Sequence, residues 1–363
     1  MFLTIGSEGF RNIVTGTIDV GAPVVVFVGE NGQGKTNILE LVYLLCYGVS
    51  FRTRQNTFLI RRGRSSCRVH GEFRTEEGYI LPILVEIGPT SKEIFLNEKK
   101  IANRKELFSI SPCIVFAHDD IQFVVGSPLL HRQFMNQILT LVDPLFLDSL
   151  RTYNRILTSR NEALKEARED LLDVYDDQLA DIAHQITVKR ERMMDAFSSI
   201  LRSTCEEFGF SGNVFDVSYR ASLKGDGKEE LMRILRSERT QDLMVGFTRR
   251  GPHRDRLVFT MNGHPVPDYA STGEIRLLSL LLRVAQTTYV RESTGKTPIL
   301  LFDDVLLELD PLKRRRVVEM IPHGRQSFFT FLPEEPILQV LGGGRSLVYH
   351  VVEGRIVPDE TSQ

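Results

Sequence analysis

The sequence predicts an α/β fold whose sheet is assembled from both ends of the chain, with a helical segment inserted between them. Three observations predict it: a strand–loop–helix unit near the N-terminus, two apolar series at helical spacing in the middle, and an uninterrupted apolar strand near the C-terminus. At 363 residues the chain has room for two or three domains around a large core.

The N-terminal unit is the most informative. Val24, Val25, Val26, Phe27 and Val28 read as a buried strand, and Gly29-Glu30-Asn31-Gly32-Gln33-Gly34-Lys35-Thr36 follows as a complete G-x-x-x-x-G-K-T phosphate-binding loop. Ile38, Leu39, Leu41, Val42, Leu44 and Leu45 continue it as a helix. Glycines let backbone N–H groups turn inward around phosphates, and the helix N-terminus adds positive potential. In such a loop Lys35 reaches the β- and γ-phosphates and the Thr36 hydroxyl ligates Mg²⁺. With glycine at about 7% of residues, a chance match has odds on the order of one in a hundred. A bound nucleoside triphosphate is expected.

Composition narrows the class. No apolar run approaches the ~20 residues of a membrane span, so no membrane partner is expected. The start, Met1-Phe2-Leu3-Thr4, carries no basic region or cleavage site, and no secretory signal is expected. Cys46, Cys67, Cys113 and Cys205 have no C-x-x-C spacing and read as reduced thiols of a cytoplasmic protein. The formal net charge of −2 neither favours nor excludes nucleic acid, so a DNA surface must come from local asymmetry.

Beyond the loop helix, residues 68–73, 79–87 and 94–96 read as an antiparallel subsheet. From about Pro128 the pattern becomes helical. Leu147, Leu150, Asn154, Leu157, Asn161 and Leu164 mark one helix face; Tyr175, Leu179, Ile182, Ile186, Met193, Phe197 and Ile200 mark a second. The acidic stretch 169–177 separates them, with Asp173 or Asp176 expected to cap the second helix. Residues 256–261 and 264–267 flank Asn262-Gly263 as a hairpin, and a helix is expected from Glu274 to about Val290.

The remaining chemistry lies near the C-terminus. The run 298–302 suits a parallel strand buried on both faces, and it ends in Asp303 and Asp304. Carboxylates at that sheet edge meet the phosphate loop: Asp303 would hold Mg²⁺ with Thr36, and Asp304 would orient or deprotonate the attacking water. Ser271-Thr272-Gly273-Glu274 opens an apolar helix. It reads as a capping box, and the same N-terminus could equally aim its dipole at a γ-phosphate.

The order of these pieces, continued by Glu308-Leu309-Asp310, resembles the heads of ABC-type ATPases and, within them, the RecF family of DNA replication and repair proteins. The resemblance spans nearly the whole chain. It is carried by Phe10-Arg11-Asn12, the loop with its Asn37-Ile38-Leu39-Glu40 continuation, Ser50-Phe51-Arg52-Thr53, Gly126-Ser127-Pro128, Gly251-Pro252-His253-Arg254-Asp255, Asp303-Asp304-Val305, and Arg314-Arg315. It implies a P-loop ABC-type ATPase head with a mixed sheet and an antiparallel β subsheet, plus an inserted α-helical arm. The expected division is 1–127 and 211–363 for the two parts of the head, and 128–210 for the arm. It further implies ATP and Mg²⁺ as cofactors, an ATP-dependent homodimer in which Ser271 and Gly273 face the ATP held by the other subunit's Lys35, and binding to single-stranded and gapped duplex DNA. Mediators of RecR and RecO type, the RecA recombinase and SOS induction follow from the same resemblance, as does slow DNA-stimulated ATP hydrolysis.

Several positions depart from the family pattern. Glu274 stands where Gln is usual, Leu307 where Ser is usual, Ala117-His118-Asp119-Asp120 replaces a Ser/Thr-Pro-Glu-Asp pattern, and Asn136 replaces an Asp. Phe329-Thr330-Phe331 occupies the region where a switch histidine would stand. These changes keep open a clamp that binds ATP and DNA with negligible hydrolysis. A transporter-type ABC ATPase is a further alternative, but its usual Leu-Ser-Gly-Gly-Gln signature is replaced here by Ala270-Ser271-Thr272-Gly273-Glu274.

For DNA, the densest basic stretch is Arg52, Arg54, Arg61, Arg62, Arg64 and Arg68, with Phe51 and Phe58 interleaved. Arg249, Arg250, Arg254 and Arg256 form a second cluster, and residues 313–316 a third. Such residues contact phosphates and make binding salt-dependent rather than sequence-specific.

Overall fold

A computed structural model describes residues 1–108, 110, 112–209, 214–321, 325–334 and 345–359, and the side chains of Leu307 and Glu308 lie outside that description, so the expectation for Leu307 does too. The chain divides into two compact units, Met1–His118 with Val290–Gln363, and Asp119–Tyr289.

In the first unit, a mixed sheet draws its strands from both chain ends. Its order is Arg355–Pro358, Ser346–Val352, Val24–Val28, Gln326–Phe331, Ile299–Asp303, Cys113–Ala117. All pairings are parallel except that of the edge strand Arg355–Pro358. The central strands are sealed on both faces, which is why they read as unbroken apolar runs rather than alternating ones. Phe116, Phe302 and Phe329 stack across three adjacent strands at centroid distances of 4.3 and 4.5 Å.

The helix Lys35–Tyr47 follows the phosphate loop and buries Ile38, Leu39, Leu41, Val42, Leu44 and Leu45. It packs against this sheet and against an antiparallel one, ordered Gly16–Asp19, Phe2–Glu8, Cys67–Arg74, Ile80–Ile87, Lys92–Leu96, Lys99–Lys100. Cys67–Arg74 alternates buried and exposed residues, the signature of a sheet with one dry face. Gln326, fully buried, ties the two sheets together. Its Oε1 accepts from Phe2 N at 2.7 Å, and its Nε2 donates to the carbonyls of Phe2, Val20 and Ala22.

The second unit holds the helices Pro128–Val142, Phe146–Lys165, Glu169–Phe208 and Lys228–Val245, and a small sheet of Phe215–Arg220, Arg256–Met261 and His264–Pro265. Phe215–Arg220 packs on Glu169–Phe208, and Arg256–Met261 on Pro128–Val142. Asn262 and Gly263 take φ of 52° and 81°, as a two-residue hairpin turn demands. The second hairpin strand is shorter than expected: Val266–Tyr269 turns helical.

The expected helix cap is corrected. The second long helix begins at Glu169, ahead of both Asp173 and Asp176. Ala167, at φ 52°, makes the turn, and Glu169 and Asp170 supply the negative charge that favours a helix N-terminus. Asp176 is instead buried within a cation network. It accepts from Arg160 Nε at 2.7 Å and Arg239 Nε at 2.6 Å, while Arg160 Nη1 also reaches Asp242 at 2.8 Å and Thr248 Oγ1 at 2.7 Å. All four cysteines are unpaired and buried, and among the described residues no helix is long and apolar enough to cross a membrane.

Arg160 has no solvent exposure, so removing it leaves the buried Asp242 carboxylate without its cation and takes from Asp176 one of its two arginine partners. Arg160→Met should lower the stability of this unit by about 3–5 kcal/mol in urea unfolding. Arg239→Met, whose side chain is 23% exposed, should cost less than half as much.

Candidate active site

The strand Val24–Val28 delivers the phosphate loop to the carboxyl edge of the mixed sheet, where Gly29 N still bonds Phe331 O at 3.1 Å. A Cβ at Gly29 would overlap the Val351 carbonyl oxygen, so a side chain there would push the loop off the sheet. Gly32 and Gly34 adopt φ of 80° and 117°, conformations that glycine reaches without strain.

Four predicted residues converge here. Lys35, 3% exposed, donates from Nζ to Gly29 O at 2.7 Å and Glu30 O at 3.3 Å, with Asp304 Oδ2 at 3.5 Å. Thr36 Oγ1 donates to Asp303 Oδ1 at 2.7 Å. Burial pushes the Asp303 carboxyl above its ordinary range, opposed by the Thr36 hydrogen bond and reinforced by Asp304. A hydroxyl and a carboxylate in contact are hard oxygen donors that fit Mg²⁺, a cation that keeps several water and phosphate ligands. The Asp303 charge, penalised by burial, is the charge such a cation would favour.

A ring of side chains behind the loop joins motifs that are far apart in sequence. Glu40 is fully buried, accepts Arg11 Nε at 2.8 Å and Nη2 at 2.9 Å, and also takes the Ser50 hydroxyl. Asn12 accepts from Asn37 Nδ2 at 2.7 Å and donates to Gln33 O at 3.1 Å, while Arg52 Nη1 donates to Asn37 Oδ1 at 2.8 Å. Gln33 is also held from the C-terminal end of the chain, by Glu353 N at 2.5 Å and Gly354 N at 2.9 Å.

Within the other unit, Ser271 and Glu274 form the expected capping box. Ser271 N and Oγ both donate to Glu274 Oε2, at 2.8 and 2.7 Å, and these bonds hold the Glu274 carboxyl below its ordinary range. Gly273 is exposed, with open space where a Cβ would stand.

A model of the RecF/RecN/SMC N terminal domain matches residues 2–335. The DNA replication and repair protein RecF of Treponema pallidum is 42% identical over 347 residues, covering 95% of this chain and 97% of that one. The chain belongs to the RecF family.

The RecF of Halothermothrix orenii is 33% identical over 89% of this chain and 90% of its own. Among solved structures, the recombination mediator protein RecF-ATPrS of the RecFOR pathway superposes with a TM-score of 0.89 at 26% identity, covering 99% of this chain and 98% of that chain. An Smc head bound to the C-winged helix domain of ScpA gives a TM-score of 0.59 at 15% identity, a likeness of fold. The fold is thus the expected α/β ABC-type head.

The pentapeptide 251–255 that contributed to the RecF resemblance is a structural anchor here. Asp255, fully buried, accepts Arg190 Nη1 at 2.6 Å, Ser222 N at 2.9 Å and the Tyr219 hydroxyl. Arg190 also donates to Pro252 O at 2.8 Å and to Asn136 Oδ1 at 2.9 Å, so Asn136 contributes an acceptor without a second negative charge. Gly251 takes φ 140°, and its missing Cβ makes room for the Tyr153 hydroxyl.

The predicted DNA arginines divide. Arg52 is drawn to Asn37, and Arg61 bonds the carbonyls of Arg11 and Ile13, so both serve the ring behind the loop. Arg54, Arg62 and Arg64 are exposed with no ion pair among the described residues. Arg68 pairs with Glu86 at 2.7 Å, and Arg249 and Arg250 both pair with Glu238. In the third cluster Arg314 is buried, while Lys313 pairs with Asp310 and Arg315 with Glu319.

His253 supplies a pH test of this family member. Its Nε2 faces Thr248 O at 3.0 Å, so Nε2 carries the proton and Nδ1 accepts from Tyr153 Oη at 2.6 Å. Burial lowers its pKa from 6.5 to about 4. The folded value lies below the unfolded one, so the unfolded chain binds more protons between these limits and stability falls on acidification through that window. From pH 7 to pH 5 the loss attributable to His253 is about 2 kcal/mol. Urea unfolding of His253→Asn should show a correspondingly smaller change between those pH values.

Proposed function

We propose that this chain is an ATP-dependent DNA-binding protein of recombinational repair and replication-fork maintenance, with slow, DNA-stimulated ATP hydrolysis. The observation that carries the reading is the convergence of Lys35, Thr36, Asp303 and Asp304 at one sheet edge. It is supported by the RecF relatives named for DNA replication and repair, and by solved RecF structures with ATP and ATPrS.

In this reading, residues 29–34 cradle the phosphates with backbone N–H groups. Lys35 leaves the carbonyls of Gly29 and Glu30 to reach the β- and γ-phosphates, which frees Asp304 Oδ2 from the ammonium. Thr36 and Asp303 would hold Mg²⁺, which would supply charge neutralisation on the phosphates. Asp304 takes a proton from water as the water oxygen bonds the γ-phosphorus. The β–γ bridging P–O bond breaks, its electron pair leaves with ADP, and inorganic phosphate is released.

Two copies close on two nucleotides, with Ser271 and Gly273 of one facing the ATP of the other, and hydrolysis releases the pair. The dimer acts in the cytoplasm at gapped duplex or single-strand junctions. There it works with mediators of RecR and RecO type to load a RecA recombinase and to promote SOS induction. Residues 128–210 serve as the arm of the head. A second reading, a clamp with negligible hydrolysis, is favoured by the Ser271 hydroxyl being occupied by a Glu274 carboxylate. RecF family membership displaces the transporter-type alternative.

ATP turnover with and without gapped duplex DNA separates these readings. DNA should stimulate the wild type but not Lys35→Arg, and ATP should drive dimerisation of the wild type but not of Lys35→Ala in sedimentation velocity. Binding of ATP without any turnover would select the clamp; a dimer indifferent to ATP and to Lys35→Ala would overturn the closing mechanism.

The exposed arginines give a second test. Arg54→Ala, Arg62→Ala and Arg64→Ala together should flatten the slope of log Kd against log salt by about 2 to 3. An unchanged slope would remove this stretch from the DNA surface.

A further inference from the structure

Thr330 is 3% exposed on the strand Gln326–Phe331, beside the strand that carries the two aspartates. Its Oγ1 accepts from Asp304 N at 2.8 Å and donates to Asp304 Oδ1 at 2.8 Å. The Phe302 carbonyl, at 3.2 Å, is the competing acceptor for the same single proton. Donation to an ionised carboxylate is the stronger of the two bonds. One hydroxyl thus grips both the backbone and the carboxylate of Asp304 from the neighbouring strand.

Asp304 needs that grip. It sits at φ 50°, a left-handed conformation that residues bearing a Cβ seldom adopt. Its terminal torsion is broad and two-fold, so an unanchored carboxylate would present either oxygen over a wide range. Thr330 is β-branched and stiff at χ1, which suits it to hold a direction. With Oδ1 tied to Thr330, it is Oδ2 that faces Lys35 Nζ at 3.5 Å and the phosphate loop.

We propose that Thr330 is the positioning residue of the site: it anchors Oδ1 of Asp304 so that Oδ2 is the oxygen turned toward the water at the γ-phosphate. This rests on the reading of Asp304 as the proton acceptor, and the test separates the two.

The variants are Thr330→Val, which keeps shape and loses the hydroxyl, Thr330→Ser, which keeps it, and Asp304→Asn. ATP hydrolysis is followed under single-turnover conditions with gapped DNA, nucleotide affinity with a fluorescent ATP analogue, and amide hydrogen exchange at Asp304 by NMR. Thr330→Val should lower the hydrolytic rate about 10- to 100-fold, as expected for a misplacement of about an ångström, with nucleotide affinity unchanged. It should also speed exchange of the Asp304 amide, and Thr330→Ser should restore both rate and protection. Wild-type turnover in Thr330→Val beside an inactive Asp304→Asn would overturn the positioning role and leave the base intact. Equal loss of affinity and turnover in Thr330→Val would overturn it as a purely structural effect. Wild-type turnover in Asp304→Asn, or no turnover in the unaltered protein, would overturn the base and the positioning role together.

Discussion

The site depends on one hydrogen bond that joins the two ends of the fold, from Thr36 Oγ1 to Asp303 Oδ1, 267 positions apart. It exists because the N-terminal strand Val24–Val28 inserts between two C-terminal strands, Gln326–Phe331 and Ser346–Val352. Parallel strands buried on both faces take their register from packing on each side, and a one-residue slip would exchange the faces on which side chains emerge. Gln326 removes that freedom. Its amide is satisfied only when Phe2, Val20 and Ala22 stand around it, which fixes where the strand Gln326–Phe331 starts. The site is therefore a property of closed topology. Neither chain end carries it alone.

A second constraint acts on the loop itself. Glu40 lies one turn beyond Thr36 in the helix, with no exposure, and a lone buried carboxylate there would be costly. The bidentate Arg11 contact compensates the charge, and the Ser50 and Arg52 contacts bring the following segment to the same point. Through Asn12 and Asn37 this network reaches Gln33 in the loop. The segments 10–12, 37–40 and 50–53 thus form one electrostatic unit that holds the loop from behind, and arginines within it have little freedom left for nucleic acid.

What was legible in the sequence follows the range of the interactions involved. The phosphate loop, the Asn262–Gly263 turn and the Ser271–Glu274 cap are set by neighbours a few residues away, and each could be read from spacing. The strand ending in Asp303 and Asp304 was legible because a continuous apolar run has few other uses. Thr330 was not, because its role comes from a neighbouring strand 26 positions from Asp304, and a threonine in a strand is unremarkable by composition. The same limit explains Asp176. Its position before an apolar series suggested a helix cap, whereas its partners Arg160 and Arg239 lie on other helices. Among the arginines, charge density alone could not separate Arg61, spent on backbone carbonyls, from Arg62 and Arg64.

The two aspartates show how one dipeptide is made to do two things. In a regular strand consecutive side chains emerge on opposite faces, so Asp303 and Asp304 could not both address the loop. Asp303 ends the strand in regular pairing with Ala117 and meets Thr36. Asp304 leaves the strand in a left-handed conformation, a turn that brings its carboxylate back to within 3.5 Å of Lys35. That conformation costs an L-residue about 1–2 kcal/mol, of the same order as two hydrogen bonds to a single hydroxyl return. Glycine at this position would remove the strain but also the carboxylate. An aspartate held in a glycine's conformation is the arrangement that brings carboxylate oxygens from two adjacent residues to the phosphate loop, one bonded to Thr36 and the other facing Lys35.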